Sequence, residues 1–88
     1  MSTPIEAAIN VGPRLARELR AAGISTLEEL RALGAVEAAR RLRAASPHRD
    51  CIHAGLALAG AIRGVRWTLL DPDTRARLRA RLVAELGR

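Results

Sequence analysis

The residues best placed for chemistry stand between positions 9 and 23, in the stretch INVGPRLARELRAAG. A tight Asn-Val-Gly-Pro turn comes directly before a segment that carries three arginines, Arg14, Arg17 and Arg20. The first amides of a helix have no intrahelical acceptor, and the helix dipole adds positive charge there. A phosphate group can bind such amides without any reading of base sequence. The sequence therefore predicts a phosphate-binding surface at the start of this helix.

The same turn resembles the helix-hairpin-helix signature, in which a glycine–apolar–glycine turn is followed by three residues and an alanine. Gly12 and Ala16 fit the signature, and Asn10 stands in place of its first glycine. Both Asn10 and Gly12 tolerate the left-handed backbone of a tight turn. Duplex-binding proteins commonly carry two such units and this sequence shows one, so the resemblance implies weak binding without sequence preference. The alternative is a turn that only joins two packed helices.

A second group of arginines, Arg40, Arg41 and Arg43, allows two interpretations. It either extends the phosphate-binding surface or forms a solvated helix face on which Glu37 pairs with Arg41. The residues predicted to contact nucleic acid are Val11, Gly12, Arg14, Leu15, Arg17, Arg20, Arg40 and Arg41.

Three potential metal ligands, His48, Cys51 and His53, lie within six residues. Structural zinc needs four ligands, usually as two short pairs, and the sequence offers no second pair. A Cys–His nucleophile needs a cleft and oxyanion-binding donors, which a small alanine-rich core does not favour. We therefore predict no metal, no cofactor and no catalytic residue.

The single large aromatic residue, Trp67, also has two interpretations. It either fills the core beside Gly60 and Gly64 or offers its ring to a nucleic-acid base. Nucleic-acid platforms normally use several aromatic side chains, so we predict a core position.

Composition points to a small, basic, all-helical domain. The chain has 15 arginines and no lysine, against nine aspartates and glutamates, which gives a net charge of +6. This excess either reflects codon usage or attracts phosphate backbones and acidic proteins. Alanine and leucine favour helix, and no run alternates as a strand does. The first residues lack a signal-peptide pattern, and the longest apolar run, 54–62, is shorter than the ~20 residues of a membrane span. We expect a cytoplasmic protein that does not engage a membrane.

Capping residues and glycines divide the chain into five to six short helices, arranged around a buried central one. In the last helix, Arg75 and Arg79 interrupt a leucine stripe, so either their stems cover neighbouring residues or this edge meets a partner. The predicted helices run from Thr3 to about Ile9, from Pro13 to Gly23, from a Ser25–Glu28 capping box to Gly34, through Val36, Ala39 and Leu42, over 50–63 as the central helix, and onward from Asp71.

Two longer stretches, 12–42 and 56–67, resemble the C-terminal domain of TfoX/Sxy, the bacterial regulators of natural competence. The resemblance covers roughly residues 5–86, in three ordered blocks. Leu56, Ala59 and Ala39 depart from residue types common in the family. The matching residues are Gly12, Pro13, Ala16, Gly23, Ile24, Leu27, Leu30, Gly34, Ala35, Val36, Ala38, Leu42, Ala57, Leu58, Gly60, Ala61, Gly64 and Trp67.

The resemblance implies a single helical domain over residues 1–88, without the separate N-terminal domain of full-length TfoX proteins. It implies a non-catalytic role in regulating competence or transcription. The expected partner is the phosphate backbone of duplex DNA. The alternative is a protein-interaction adaptor that uses its last helix or a self-association surface, with a transcription regulator as the expected partner.

Overall fold

The computed structural model describes residues 2–87 as five α-helices and two single 3₁₀ turns, without a strand in that range. The all-helical class predicted from alanine and leucine is therefore confirmed. The elements in chain order are a 3₁₀ turn at Ile5–Ala7, α1 at Pro13–Ala21, α2 at Leu27–Leu33, α3 at Ala35–Ala45, α4 at Cys51–Arg63, a second 3₁₀ turn at Trp67–Leu69, and α5 at Pro72–Leu86.

Helix α4 is the centre of the bundle, as its all-round apolar sequence predicts. Every residue from Ala54 to Ala61 is buried, and α2, α3, α5 and the second 3₁₀ turn all pack against α4. Its small residues let these neighbours approach closely. A Cβ built at Gly55 would lie 2.6 Å from a terminal methyl carbon of Leu82 in α5.

The helix ends follow the predicted capping chemistry where that chemistry is local. Helix α1 ends at Ala21, and Gly23 reverses the chain two residues later: its φ of +87° allows the Ile24 amide to donate to the Leu19 carbonyl at 2.8 Å. Asp50 accepts from the His53 amide at the start of α4. Asp71 does the same for α5 with the amides of its first turn.

The predicted first helix, from Thr3 to Ile9, is wrong: only Ile5–Ala7 is helical, as one 3₁₀ turn. Thr3 does not cap this turn, because its amide and hydroxyl donate to the two carboxylate oxygens of Glu28, at 2.8 and 2.9 Å. Its carbonyl accepts from the Leu27 amide. The start of the chain is thus held extended along the residues before α2, and too few residues remain for a full helix.

The capping box of α2 lies one residue later than the predicted Ser25–Glu28 pair. Thr26 accepts from the Glu29 amide at 3.0 Å, and the Glu29 carboxylate accepts from the Thr26 amide at 3.1 Å. Glu28 is occupied instead by Thr3, whose hydrogen bonds lower the pKa of the Glu28 carboxyl. A contact between distant residues therefore decides which of two adjacent glutamates closes the box.

Glu6 and Arg20 form a bidentate ion pair that ties the first 3₁₀ turn to α1, with N–O distances of 2.6 and 2.7 Å. The hydrogen bonds from Arg20 lower the pKa of Glu6 from 4.5 to about 2. A carboxyl whose pKa is lower in the folded state stabilises the fold above its unfolded pKa. We expect this contribution to be complete above about pH 5.5 and lost as the pH falls from 4.5 through about 2.

Urea unfolding of the native chain and of Glu6→Gln over this pH range measures that contribution. The difference between their midpoints should be constant near neutral pH, be mostly lost by about pH 2, and disappear below it. The control is Glu85→Gln, at an exposed α5 carboxylate outside the ion pairs described. A Glu6→Gln difference that persists unchanged at pH 2 would contradict the assignment.

None of the helices between residues 2 and 87 combines the length and apolar character that crossing a bilayer requires.

Candidate nucleic-acid interface

The turn before α1 is built around a left-handed Asn10, with a φ of +72°. Of the two residues predicted to tolerate a left-handed backbone, Asn10 adopts it and Gly12 does not. Gly12 is extended, at φ −84° and ψ 176°, and is the N-cap of α1. A Cβ built at Gly12 meets no atom within 4 Å, so this position faces open space.

The side chain of Asn10 fastens the turn to the far end of α4. Its Nδ2 donates to the carbonyls of Ala57, at 3.1 Å, and Val65, at 2.9 Å. Its Oδ1 accepts from the Trp67 amide at 3.3 Å. Both donors and one acceptor of the amide are thus used, and each bond spans more than 45 residues of sequence. Sequence reasoning had assigned Asn10 only a backbone role.

The first amides of α1 remain available, as the turn predicts. Within residues 2–87, the Gly12, Arg14 and Leu15 amides donate no hydrogen bond. The next amide, that of Ala16, donates to the Gly12 carbonyl at 2.9 Å. The side chains of Val11 and Leu15 are both buried, so these predicted contact residues could meet a ligand only through their backbone, and the Val11 amide already donates to the Ala8 carbonyl at 3.3 Å.

Gly12, Arg14 and Leu15 also line a concave pocket of about 470 Å³, which we call the hairpin pocket. It lies between the start of α1, one side of α4 and the second 3₁₀ turn. Among residues 2–87, no aspartate or glutamate lines it. The lining residues that could meet a ligand are Gly12, Arg14, Arg49, His53, Arg66 and Trp67.

Two carboxylates, those of Glu18 and Asp50, lie near the arginines of the hairpin pocket but do not neutralise their total charge. Glu18 pairs with Arg49 and, at 3.6 Å, with Arg14. Asp50 occupies a neighbouring depression beside the same two arginines, where it also caps α4. Three guanidinium groups therefore stand against two carboxylates, so the surroundings of the pocket keep a positive balance. Arg14 leaves 79% of its side chain exposed and is the most accessible of the paired arginines.

The structure separates the other predicted arginines from this pocket. Arg20 is paired with Glu6, and both Arg40 and Arg41 are paired with Glu37 on α3. Arg40 and Arg41 line a different groove, between α3 and the end of α5. Arg17 is exposed one turn beyond Arg14. Of the predicted guanidinium groups, only that of Arg14 lines the hairpin pocket.

Arg49 and Arg66 complete the pocket, although sequence reasoning missed both. Arg49 follows α3 in the loop before α4, and Arg66 directly precedes Trp67. Nothing in their local sequence distinguishes them from the other arginines. They reach the pocket because both ends of α4 pack near the hairpin, which is a property of the tertiary structure.

Trp67 lies at the edge of the core, next to the hairpin pocket. The residue is half-buried and packs against the core, with its Cα 3.1 Å from a Cβ built at Gly60. It is also one of the residues that line the hairpin pocket, and its ring meets the His53 ring at 78°, with centroids 4.8 Å apart. The predicted core position is therefore only partial.

The remaining residues considered for chemistry are the potential metal ligands, the Cys51 thiol and the two arginines of α5. No three His, Cys, Asp or Glu side chains in the described part of the chain are grouped to hold a metal. Cys51 is buried, and burial raises the pKa of its thiol, which favours the neutral form. Arg75 donates to the Thr68 carbonyl at 3.2 Å, and Arg79 is exposed on the outer face of α5.

The chain is similar in sequence to a known domain family and in fold to two solved structures. The family model described as the TfoX C-terminal domain matches residues 1–82. The triclinic crystal structure of an uncharacterized protein from Listeria monocytogenes is similar, with a TM-score of 0.87 and 30% identity over 97% of this chain and 96% of that one. A tetragonal crystal structure of a Listeria monocytogenes protein of unknown function has a TM-score of 0.83 and 31% identity, over 92% and 99% of the two chains. No curated protein matches.

Proposed function

The chain belongs to the TfoX C-terminal domain family, and we propose that it is a non-catalytic regulatory module that binds nucleic acid through the start of α1. The family suggests a regulatory domain related to natural competence. In our proposal the ligand group is a backbone phosphate. Binding is weak and independent of sequence, because backbone amides and guanidinium groups do not read base edges.

The observation that carries this proposal is the set of free amides at Gly12, Arg14 and Leu15, beside an Arg14 side chain that is 79% exposed. Charge-assisted hydrogen bonds from amides and arginine to a phosphate are stronger than neutral ones. The dipole of the nine-residue α1 adds to this attraction. Arg20, Arg40 and Arg41 are secondary in this proposal, because they lie outside the hairpin pocket and their ion pairs, at 2.5–3.2 Å, are closer than the 3.6 Å pair of Arg14 with Glu18.

Reversing the charges of Arg14 and Arg17 tests the proposal. Affinity for a short duplex should fall by about 100-fold or more, because two phosphate contacts become repulsive. The slope of log affinity against log salt should become less steep by about 2, since each phosphate contact releases about 0.9 counterion and the variant loses two contacts. Binding of labelled duplex to the Arg14→Glu, Arg17→Glu variant, measured at two salt concentrations, gives both quantities.

The matched control is Arg77→Glu with Arg81→Glu on α5, which changes the net charge by the same amount. This variant should keep most of the affinity, and circular dichroism should show native helicity for both variants. Equal losses in the two variants would mean that net charge, not the hairpin, attracts DNA. Unchanged affinity after reversal at Arg14 and Arg17 would contradict the proposed site.

Gly12→Ala probes the same site without changing charge. The backbone at Gly12 is one that alanine adopts, and the added Cβ meets nothing within 4 Å. Stability should change by no more than about 1 kcal/mol, because the reduced freedom of the unfolded chain is offset by the poorer N-cap preference of alanine. Affinity for duplex should fall about 10-fold, because the methyl group crowds phosphate approach to the amides. A hairpin that serves only to join helices would show the stability result and no change in affinity.

A second candidate function, protein adaptor, rests on the outer face of α5. A shallow groove there is formed by Pro72, Ala76, Ala80 and Val83, with Arg75 and Arg79 at its sides. Apolar contact flanked by positive charge suits an acidic protein segment. Amide chemical shifts distinguish the candidates: added duplex should perturb residues 11–17, whereas a protein partner should perturb 73–87.

A further inference from the structure

The hairpin pocket contains two aromatic residues that phosphate binding does not require. These are Trp67 and His53, which we call the aromatic wall. A backbone phosphate in a duplex needs only the amides and guanidinium groups at the start of α1. The hairpin pocket is nevertheless an open concavity of about 470 Å³, and Trp67 and His53, whose rings are in contact, are among the residues that line it.

Building on the proposed function, we propose that the hairpin pocket takes a nucleotide with an unpaired base, packed against Trp67, so that the domain prefers single-stranded nucleic acid. In a duplex the base faces are already stacked and paired, and only phosphate and sugar can enter. In a single strand the base is free to leave its neighbours and stack on an aromatic ring. One nucleotide then uses both walls of the pocket.

The aromatic wall is fixed before any ligand arrives. The Trp67 amide donates to Asn10 Oδ1 at 3.3 Å, and its ring is held edge-to-face against His53 at a centroid distance of 4.8 Å. The backbone of Trp67 also lies against Gly60, which leaves no space for it to move inward. A fixed ring loses little conformational freedom on binding, so stacking is not offset by ordering.

The charge in the pocket suits the same ligand. Arg66 directly precedes Trp67 and is exposed, and Arg14 stands at the opposite wall, beside the amides of α1. Arginine attracts the phosphate and can also pack on a base face. Every base has such a face, so the pocket is not expected to distinguish one base from another.

Trp67 is the only Phe, Trp or Tyr residue of the chain, so its fluorescence reports on this pocket alone. The test compares a short oligothymidylate, an abasic strand of the same length, a duplex of that length and thymidine monophosphate. We expect the oligothymidylate to quench Trp67 and to bind about 5- to 100-fold more tightly than the abasic strand. The duplex should bind without comparable quenching.

The outcomes separate this inference from the proposed function. Equal affinities for the oligothymidylate and the abasic strand, with salt-dependent binding of both, would overturn base stacking and leave phosphate binding intact. No binding of any strand or duplex would overturn both proposals. Thymidine monophosphate that binds as tightly as the oligomer would overturn the assignment to a strand. The abasic comparison uses the native chain, so it does not depend on any variant that must fold.

Trp67→Leu, followed by fluorescence anisotropy of labelled DNA, gives a second readout. Leucine keeps an apolar group in contact with the core but removes the aromatic face. Affinity for the oligothymidylate should fall toward that of the abasic strand, and by a factor several times larger than any fall in affinity for the duplex, because only an unpaired base stacks on the ring. Equal losses for strand and duplex would indicate a purely structural Trp67.

Discussion

Asn10→Asp is expected to lower the free energy of unfolding by about 3 kcal/mol, an unusually large effect for one half-buried residue. The two Nδ2 hydrogen bonds, to the carbonyls of Ala57 and Val65, would be replaced by a carboxylate oxygen that faces the same two carbonyl oxygens. Aspartate tolerates the left-handed backbone of this position about as well as asparagine does, so the loss arises from the side chain. Urea unfolding at pH 7 measures it.

Asn10→Gly is the matched variant, because glycine also accepts the φ of +72° without strain. It removes the hydrogen bonds without adding a charge, so we expect a smaller loss of about 1–2 kcal/mol. The defect of Asn10→Asp, relative to the native chain at each pH, should diminish in acid as the new carboxyl gains a proton. Native stability in Asn10→Gly would show that the three hydrogen bonds contribute nothing.

Gly60→Ala is expected to destabilise the domain by about 2–3 kcal/mol, although alanine is the better helix former by about 1 kcal/mol. A Cβ built at Gly60 lies 2.6 Å from Asn10 Nδ2, 2.7 Å from the Val65 carbonyl oxygen and 3.1 Å from the Trp67 Cα. Two of these three are backbone atoms. The Val65 amide donates to the Gly60 carbonyl at 2.9 Å, which holds that backbone against α4. The new methyl group must therefore displace the hairpin or the second 3₁₀ turn.

Gly55→Ala, in the same helix, is the control. Its Cβ would meet only side-chain carbons of Leu82, the nearest at 2.6 Å, and a leucine side chain can rotate where backbone cannot. We expect Gly55→Ala to cost about 1 kcal/mol or less, after its gain in helix propensity. Thermal and urea unfolding should rank the two variants in this order. The opposite order would mean that close packing of α5, not of the hairpin, limits stability.

These two positions also connect stability to the proposed site. Asn10 and Gly60 together set how closely the hairpin and Trp67 approach each other across the end of α4. A folded Gly60→Ala variant should therefore show altered Trp67 fluorescence even without a ligand. Its response to an oligothymidylate should be weaker than the response of Gly55→Ala.

The sequence by itself determined the helical class, the central position of α4 and the helix ends whose signals are local. Helix caps and glycine-terminated helix ends involve residues within about six positions of one another, so they form independently of the tertiary structure. The free amides at the start of α1 follow in the same way, because Gly12 and Pro13 begin the helix with no side chain to cap it.

The tertiary structure alone decided which residues share the site. Thr3 could have capped its own turn, but its contacts with Glu28 hold it along the residues before α2. Arg40 could have joined the hairpin surface, but the packing of α3 places it in the groove beside the end of α5. Asn10, Arg66 and Trp67 come together only because α4 returns the chain to the hairpin some 55 residues later. Local propensity carries no information about contacts between residues so far apart in sequence. These contacts are determined by close packing around Gly60 and by the hydrogen bonds of the half-buried Asn10 side chain.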